Sequence, residues 1–197
     1  FVLDKKILPS SYFWNLSSRF GQRGRAGVAL WVDGEMRGSA IAEGTFITEA
    51  VASAVYAACR DSRFRPPAAE EVPLTRLEVT ILQEPCLPLV TSFPTEEMPL
   101  FEKGYLVRLE EKKGIFLPEI FNLRHFHNLG ELLAVLASEK ASLAPAEVAR
   151  AEFFIFEVDD FVESADRSCA ISLYGPAAKN SVRAIDNESL IHRLCAA

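Results

Sequence analysis

The sequence is poor in the residues that usually carry metal or redox chemistry. Its 197 residues include 3 histidines, 4 cysteines and 2 methionines. The cysteines, Cys59, Cys86, Cys169 and Cys195, form no Cys-x-x-Cys pair, which excludes the common zinc and dithiol frameworks. A chain of this length buries enough apolar surface to fold without cross-links. Free thiols and a reducing, cytoplasmic setting are therefore expected. No apolar run approaches the ~20 residues that a membrane-spanning helix needs. The opening Phe1-Val2-Leu3-Asp4-Lys5-Lys6 meets charge too early for a secretory leader. Basic clusters are missing as well. There are 27 acidic and 21 basic residues, a net charge of −6, and the basic ones are scattered among acidic neighbours. Nucleic acid is a poor partner for such a surface, because phosphate neutralisation needs grouped Lys and Arg. Repeats and low-complexity tracts are also lacking. The first residue is not Met, and the apparent helix from Ser189 to Ala197 has no Gly or Asn stop signal, so a longer polypeptide is expected.

What is present is a dense apolar pattern broken by turn signals. Phe13, Trp14, Leu16 and Phe20 are apolar anchors in a mixed N-terminal segment. Ala26 to Val32 reads as a strand, Asp33-Gly34 as a two-residue hairpin turn, and Met36 to Ile41 as the returning strand. Ile47, Val51, Ala54, Val55 and Ala58 recur at helical spacing, with Thr45 or Thr48 as the expected cap. That helix stops near Arg60, ahead of Pro66-Pro67. Leu77, Val79 and Ile81 alternate with Arg76, Glu78 and Thr80, a strand with one apolar face. Four prolines make residues 84–100 an extended connection. A second hairpin runs from Tyr105 to Leu109 and from Ile115 to Leu117, around a charged turn from Glu110 to Gly114. Asn128 followed by Glu131 opens a helix that buries Leu129, Leu132, Leu133 and Leu136. A short helix near Pro145, strands from Phe153 to Val158 and from Ala170 to Tyr174, and the final helix complete the chain. Strands in hairpins with helices between them specify an α+β fold with a largely antiparallel sheet and packed helices.

In order and spacing, several segments resemble the AMMECR-one domain family, named for the Alport syndrome, mental retardation, midface hypoplasia and elliptocytosis chromosomal region. They are Val28 to Val32, Asp33-Gly34, Met36-Arg37-Gly38-Ser39, the run from Ala57 through Arg60-Asp61-Ser62-Arg63-Phe64 to Pro67, and Leu77 to Leu82. Gly114 to Glu119, Leu129 to Leu143 and Phe154 to Phe161 extend the likeness. It covers residues 26–163, leaving 1–25 as an N-terminal extension and 164–197 as a C-terminal one. The resemblance implies a two-lobed α+β domain with a cleft. It also implies association with a Memo-type protein and a radical S-adenosylmethionine protein in a modification pathway. The departures are specific. Ser39 stands where the family pattern has Cys, and Ile41 where it has Gly. Ala42 to Phe46 lacks the usual Glu-Pro-Arg, and Glu102-Lys103-Gly104-Tyr105 lacks the family His.

Candidate chemistry centres on Arg37, Gly38, Ser39, Arg60, Asp61, Arg63 and Glu78. A serine hydroxyl needs an adjacent base to act as a nucleophile, and no His lies near Ser39 in sequence. Three guanidinium groups are suited to a carboxylate or phosphate, but Asp61 and Glu78 are equally suited to pair with them inside the fold. In both cases Glu78 faces away from Leu77, Val79 and Ile81. His125-Phe126-His127 lacks a third metal ligand nearby and reads as a surface loop. Phe154 and Phe156 share one face of their strand and Phe153 takes the other, so both faces are expected to be covered. No metal and no cofactor is expected. The leading expectation is a non-catalytic binding or accessory module with a small anionic ligand or a protein partner. The alternative is an enzyme or enzyme subunit in the associated pathway. RNA binding is the weakest case, since it needs a basic surface with exposed aromatic residues.

Overall fold

A computed structural model describes residues 23–89 and 99–163 in full, and residues 170–174 by their backbone. The N-terminal apolar anchors and the expected final helix lie outside the described residues. The chain divides into two compact units. Among the described residues, one takes in 23–82 with 159–163 and 170–174, and the other takes in 83–89 with 99–158.

The first unit is built on the hairpin of β1 (Gly24–Val32) and β2 (Glu35–Gly44). Asp33 and Gly34 have φ values of 50° and 81°, the positive pair that a tight hairpin turn demands. β3 (Arg76–Leu82) pairs antiparallel with the other side of β1. Helix α1 (Ile47–Ala58) lies on one face of these strands. Its Ala54 and Ala58 pack on Val28 and Leu30, with Ala40, Ala42, Leu77 and Val79 around them. Neither expected threonine caps the helix. The cap position falls between them at Phe46, and the Glu49 carboxylate takes the Thr45 N–H at 2.9 Å instead.

β3 departs from a strand with a single apolar face. Leu77 and Val79 do pack under α1, and Glu78 does point away from them. Yet Glu78 and Thr80 are 3% and 2% exposed. The polar face is thus the more deeply buried one, because alternation separates faces without saying which is covered.

The second unit contains β4 (Leu87–Pro88), the hairpin of β5 (Lys103–Leu109) and β6 (Lys112–Phe116), and the first half of β7 (Glu152–Glu163). β7 pairs antiparallel with β5 and β4, then continues into the first unit. There its last residues pair with β8 (Ala170–Tyr174). The β5–β6 turn is shorter than its charge run implies. Glu110, at φ 55°, and Glu111 form it, while Lys112 is already in the strand and holds Glu147 at 2.8 Å. Helices α2 (Ile120–Leu123), α3 (Leu129–Val135) and α4 (Pro145–Val148) complete the unit, with α3 continuing as a π-helical turn over Leu136–Lys140. Tyr105, Val107, Phe116, Phe126, Leu132, Leu136 and Phe153 form its core. Phe153 and Phe156, on opposite faces of β7, are 4% and 3% exposed, so the strand is covered on both sides. No helix among the described residues is long and apolar enough to cross a membrane.

The start of α3 follows its sequence signal with one shift. Asn128 Oδ1 accepts the Glu131 N–H at 2.9 Å. The Glu131 carboxylate returns to His127, taking its N–H at 2.8 Å and meeting Nδ1 at 2.9 Å. Asn128→Ala removes the cap and is expected to cost about 1 kcal/mol in chemical denaturation.

Candidate functional site

The seven candidate residues all lie within the first unit, but they do not form one cluster. The tightest group is Ser39, Asp61 and Arg63. The turn after α1 brings Asp61 beside β2, where its carboxylate accepts the Ser39 N–H at 3.1 Å. The same carboxylate accepts from Arg63 at Nε (2.8 Å), Nη2 (2.6 Å) and the backbone N–H (3.1 Å). Arg63 Nη2 also donates to the Ser39 carbonyl at 3.1 Å. Asp61 and Arg63 together therefore grip both main-chain polar groups of Ser39. The hydrogen bonds from Arg63, aided by that from Ser39, hold the Asp61 carboxyl down at about 2. Asp61 is accordingly ionised and engaged at neutral pH, and a poor proton acceptor. Its side chain is 8% exposed and that of Arg63 is 54% exposed.

Gly38 explains how the strand comes so close. A β-carbon there would lie 2.0 Å from the Ala58 carbonyl oxygen. The close approach that glycine permits is made to the C-terminal turn of α1.

Arg37 and Arg60 do not join that clamp. Arg37, with 11% of its side chain exposed, bonds Glu35 at 2.6 Å and Glu71 at 3.3 Å. Arg65 binds the same Glu71 oxygen, and the other Glu71 oxygen accepts the Ala68 N–H at 2.8 Å. Arg60 is exposed, donates to the Tyr56 carbonyl at 3.0 Å and lies 3.6 Å over the Tyr56 ring.

Glu78 belongs to a separate, buried polar cluster. It accepts the Trp31 indole N–H at 2.7 Å. Asp160 of β7, fully buried, accepts the Thr80 hydroxyl at 2.7 Å and lies beside Glu78. Burial, then the neighbouring Asp160 charge, pushes Glu78 up to about 7. Burial raises Asp160 also, and its Oδ2 has no hydrogen bond of ordinary geometry. Burial and mutual repulsion thus favour the pair sharing a proton below about pH 7.

The two loop histidines pack edge to face at 5.3 Å, and His127 is held by Glu131. Among the described residues no group of His, Cys, Asp or Glu is arranged to hold a metal ion.

This geometry sits in the part of the chain that carries the family pattern. A model of the AMMECR1 family matches residues 17–161. The chain belongs to the AMMECR1 family. Among solved structures, the fold is similar to that of an uncharacterised protein from Pyrococcus horikoshii, with a TM-score of 0.71 and 20% identity. That likeness covers 88% of this chain and 89% of the other, and it concerns the fold. No curated protein matches the sequence.

Within this AMMECR1 chain, Trp31, Thr80, Asp160, Arg65 and Glu71 are site neighbours that were not among the candidate residues of the sequence. Asp160 had a usable signal, because the alternation of Phe156 and Val158 continues to it. Glu71 had none, being one of several acids in a surface stretch. Glu78 generates a pH prediction. Its folded-state value is raised, so its contribution to stability is complete below its unfolded value and is lost as pH rises through about 7. Glu78→Gln keeps an acceptor for Trp31 and cannot ionise. Denaturation at pH 5 and pH 8 should show the wild type losing stability relative to the variant, by on the order of 2 kcal/mol.

Proposed function

We propose that this AMMECR1 chain is a non-catalytic binding or accessory module. The observation that carries the reading is the state of Ser39, at the position where the family pattern has Cys. Among the described residues the one acid hydrogen-bonded there, Asp61, is held at about 2 and saturated by Arg63 and the Ser39 N–H. A base that weak takes no proton from a serine hydroxyl at neutral pH. Among the described residues no imidazole contacts Ser39. Backbone engagement of both Ser39 polar groups also argues for a structural role at this position.

A binding role is supported by the exposed cation Arg60. Its guanidinium lies 3.6 Å over the Tyr56 ring and has no carboxylate partner among the described residues. A guanidinium stacked on an aromatic ring keeps its remaining in-plane N–H groups for a carboxylate or phosphate group. The ligand class proposed is therefore an acidic group presented by a small molecule or a protein partner. Arg37 is less suited to such contact, being mostly buried between Glu35 and Glu71. The enzyme alternative, with Memo-type and radical S-adenosylmethionine partners, needs an activated group at Ser39. A serine-reactive fluorophosphonate probe tests the difference. Intact-mass analysis should detect no adduct on the native protein, and an adduct lost in Ser39→Ala would refute the non-catalytic assignment.

A further inference from the structure

We propose that Asp61 and Arg63 act as a surrogate strand, sealing the free edge of β2 against pairing with a second copy of this chain. Among the described strands β2 has one neighbour, β1, and none pairs with its other edge. In the β1–β2 register Ser39 faces Ala29, Ile41 faces Gly27 and Glu43 faces Arg25. Ser39 directs its N–H and carbonyl away from β1, because Asp61 and Arg63 reach both. Antiparallel ladders repeat every two residues. Ile41 and Glu43 therefore also direct their main-chain groups outward. Neither finds a backbone partner on that side among the described residues.

Three consecutive outward positions are enough to seed strand addition. They are also self-complementary. A second β2 running antiparallel about a two-fold axis at Ile41 sets Ile41 against its own copy and Ser39 against Glu43. Ile41 is 38% exposed, an apolar side chain placed at the centre of that pairing. The clamp occupies Ser39, so it removes one end of the register in each copy. The remaining Ile41–Ile41 contact is too short to hold two chains together. The device is economical in geometry: one carboxylate replaces a neighbouring carbonyl and one guanidinium replaces a neighbouring N–H, at the spacing of a real ladder.

Light scattering after gel filtration tests this directly. The native protein should run as a monomer across a concentration series into the hundreds of micromolar. The double variant Asp61→Ala, Arg63→Ala should double its apparent mass over that series. Adding Ile41→Pro should restore the monomer, since proline removes an outward N–H that β1 does not use. A folded double variant that stays monomeric overturns the proposal, as does self-association that Ile41→Pro leaves intact. If the double variant does not fold, amide exchange on the native protein decides. The Ser39 N–H should be protected while those of Ile41 and Glu43 exchange freely, and protection at Ile41 and Glu43 would mean that the edge is already covered.

Discussion

The first unit depends on one close contact, the approach of β2 to the end of α1. Gly38 has no side chain, and Ala58 presents its carbonyl 2.0 Å from where a β-carbon would be. Ala40, Ala42 and Ala54 extend the small-residue contact along the helix. Close packing of this sort has little freedom to relax, and a methyl group added at such a site usually costs about 1–3 kcal/mol. It also fixes the turn after α1. That turn delivers Asp61 and Arg63 to the Ser39 backbone, so the clamp is a consequence of the packing. Arg65 and Glu71, further along the same segment, then reach Arg37 on β2. Two ion-pair networks thus stitch one connection to one edge strand, and both begin where helix and strand touch.

The buried cluster on the other side of the strands works by a different balance. Trp31, Glu78, Thr80 and Asp160 exchange hydration for a few short hydrogen bonds. Two carboxyls side by side in a buried site cannot both ionise without large cost. The cluster is stable with a proton retained on Glu78 and loses its advantage when that proton leaves. Asp61 lies at the opposite extreme. Its four hydrogen bonds favour the charged form, and its contribution is lost only as pH falls through about 2. The two acids thus respond to pH in opposite directions within the same unit.

Much of this was legible in the sequence for a physical reason. Asp33-Gly34, the helical repeat from Ile47 and the Asn128–Glu131 pair are local signals, and local geometry answers them. The alternation of β3 also placed Glu78 correctly on the face opposite Leu77 and Val79. What alternation lacks is a term for what covers a face, so the burial of Glu78 beside Asp160 was hidden. The candidate arginines were legible as a group, but their partners were not. Arg63 meets a neighbour two residues away, whereas Arg37 meets Glu71, whose place depends on the path of a whole connection.

The clamp also leaves the side chain at residue 39 free to vary without cost to the fold. Asp61 and Arg63 hold the main chain of residue 39, and every amino acid except proline offers the same N–H and carbonyl. The side chain at that position is not part of the grip. Its chemistry is therefore free to change while the edge strand, the α1 contact and the surrounding turn stay as they are. Gly38 has no such freedom, since its missing side chain is what the packing uses. Adjacent residues of one motif are thus constrained in opposite ways, Gly38 by its side and Ser39 by its backbone. A motif held through its backbone can change a side chain and remain recognisable as the same fold.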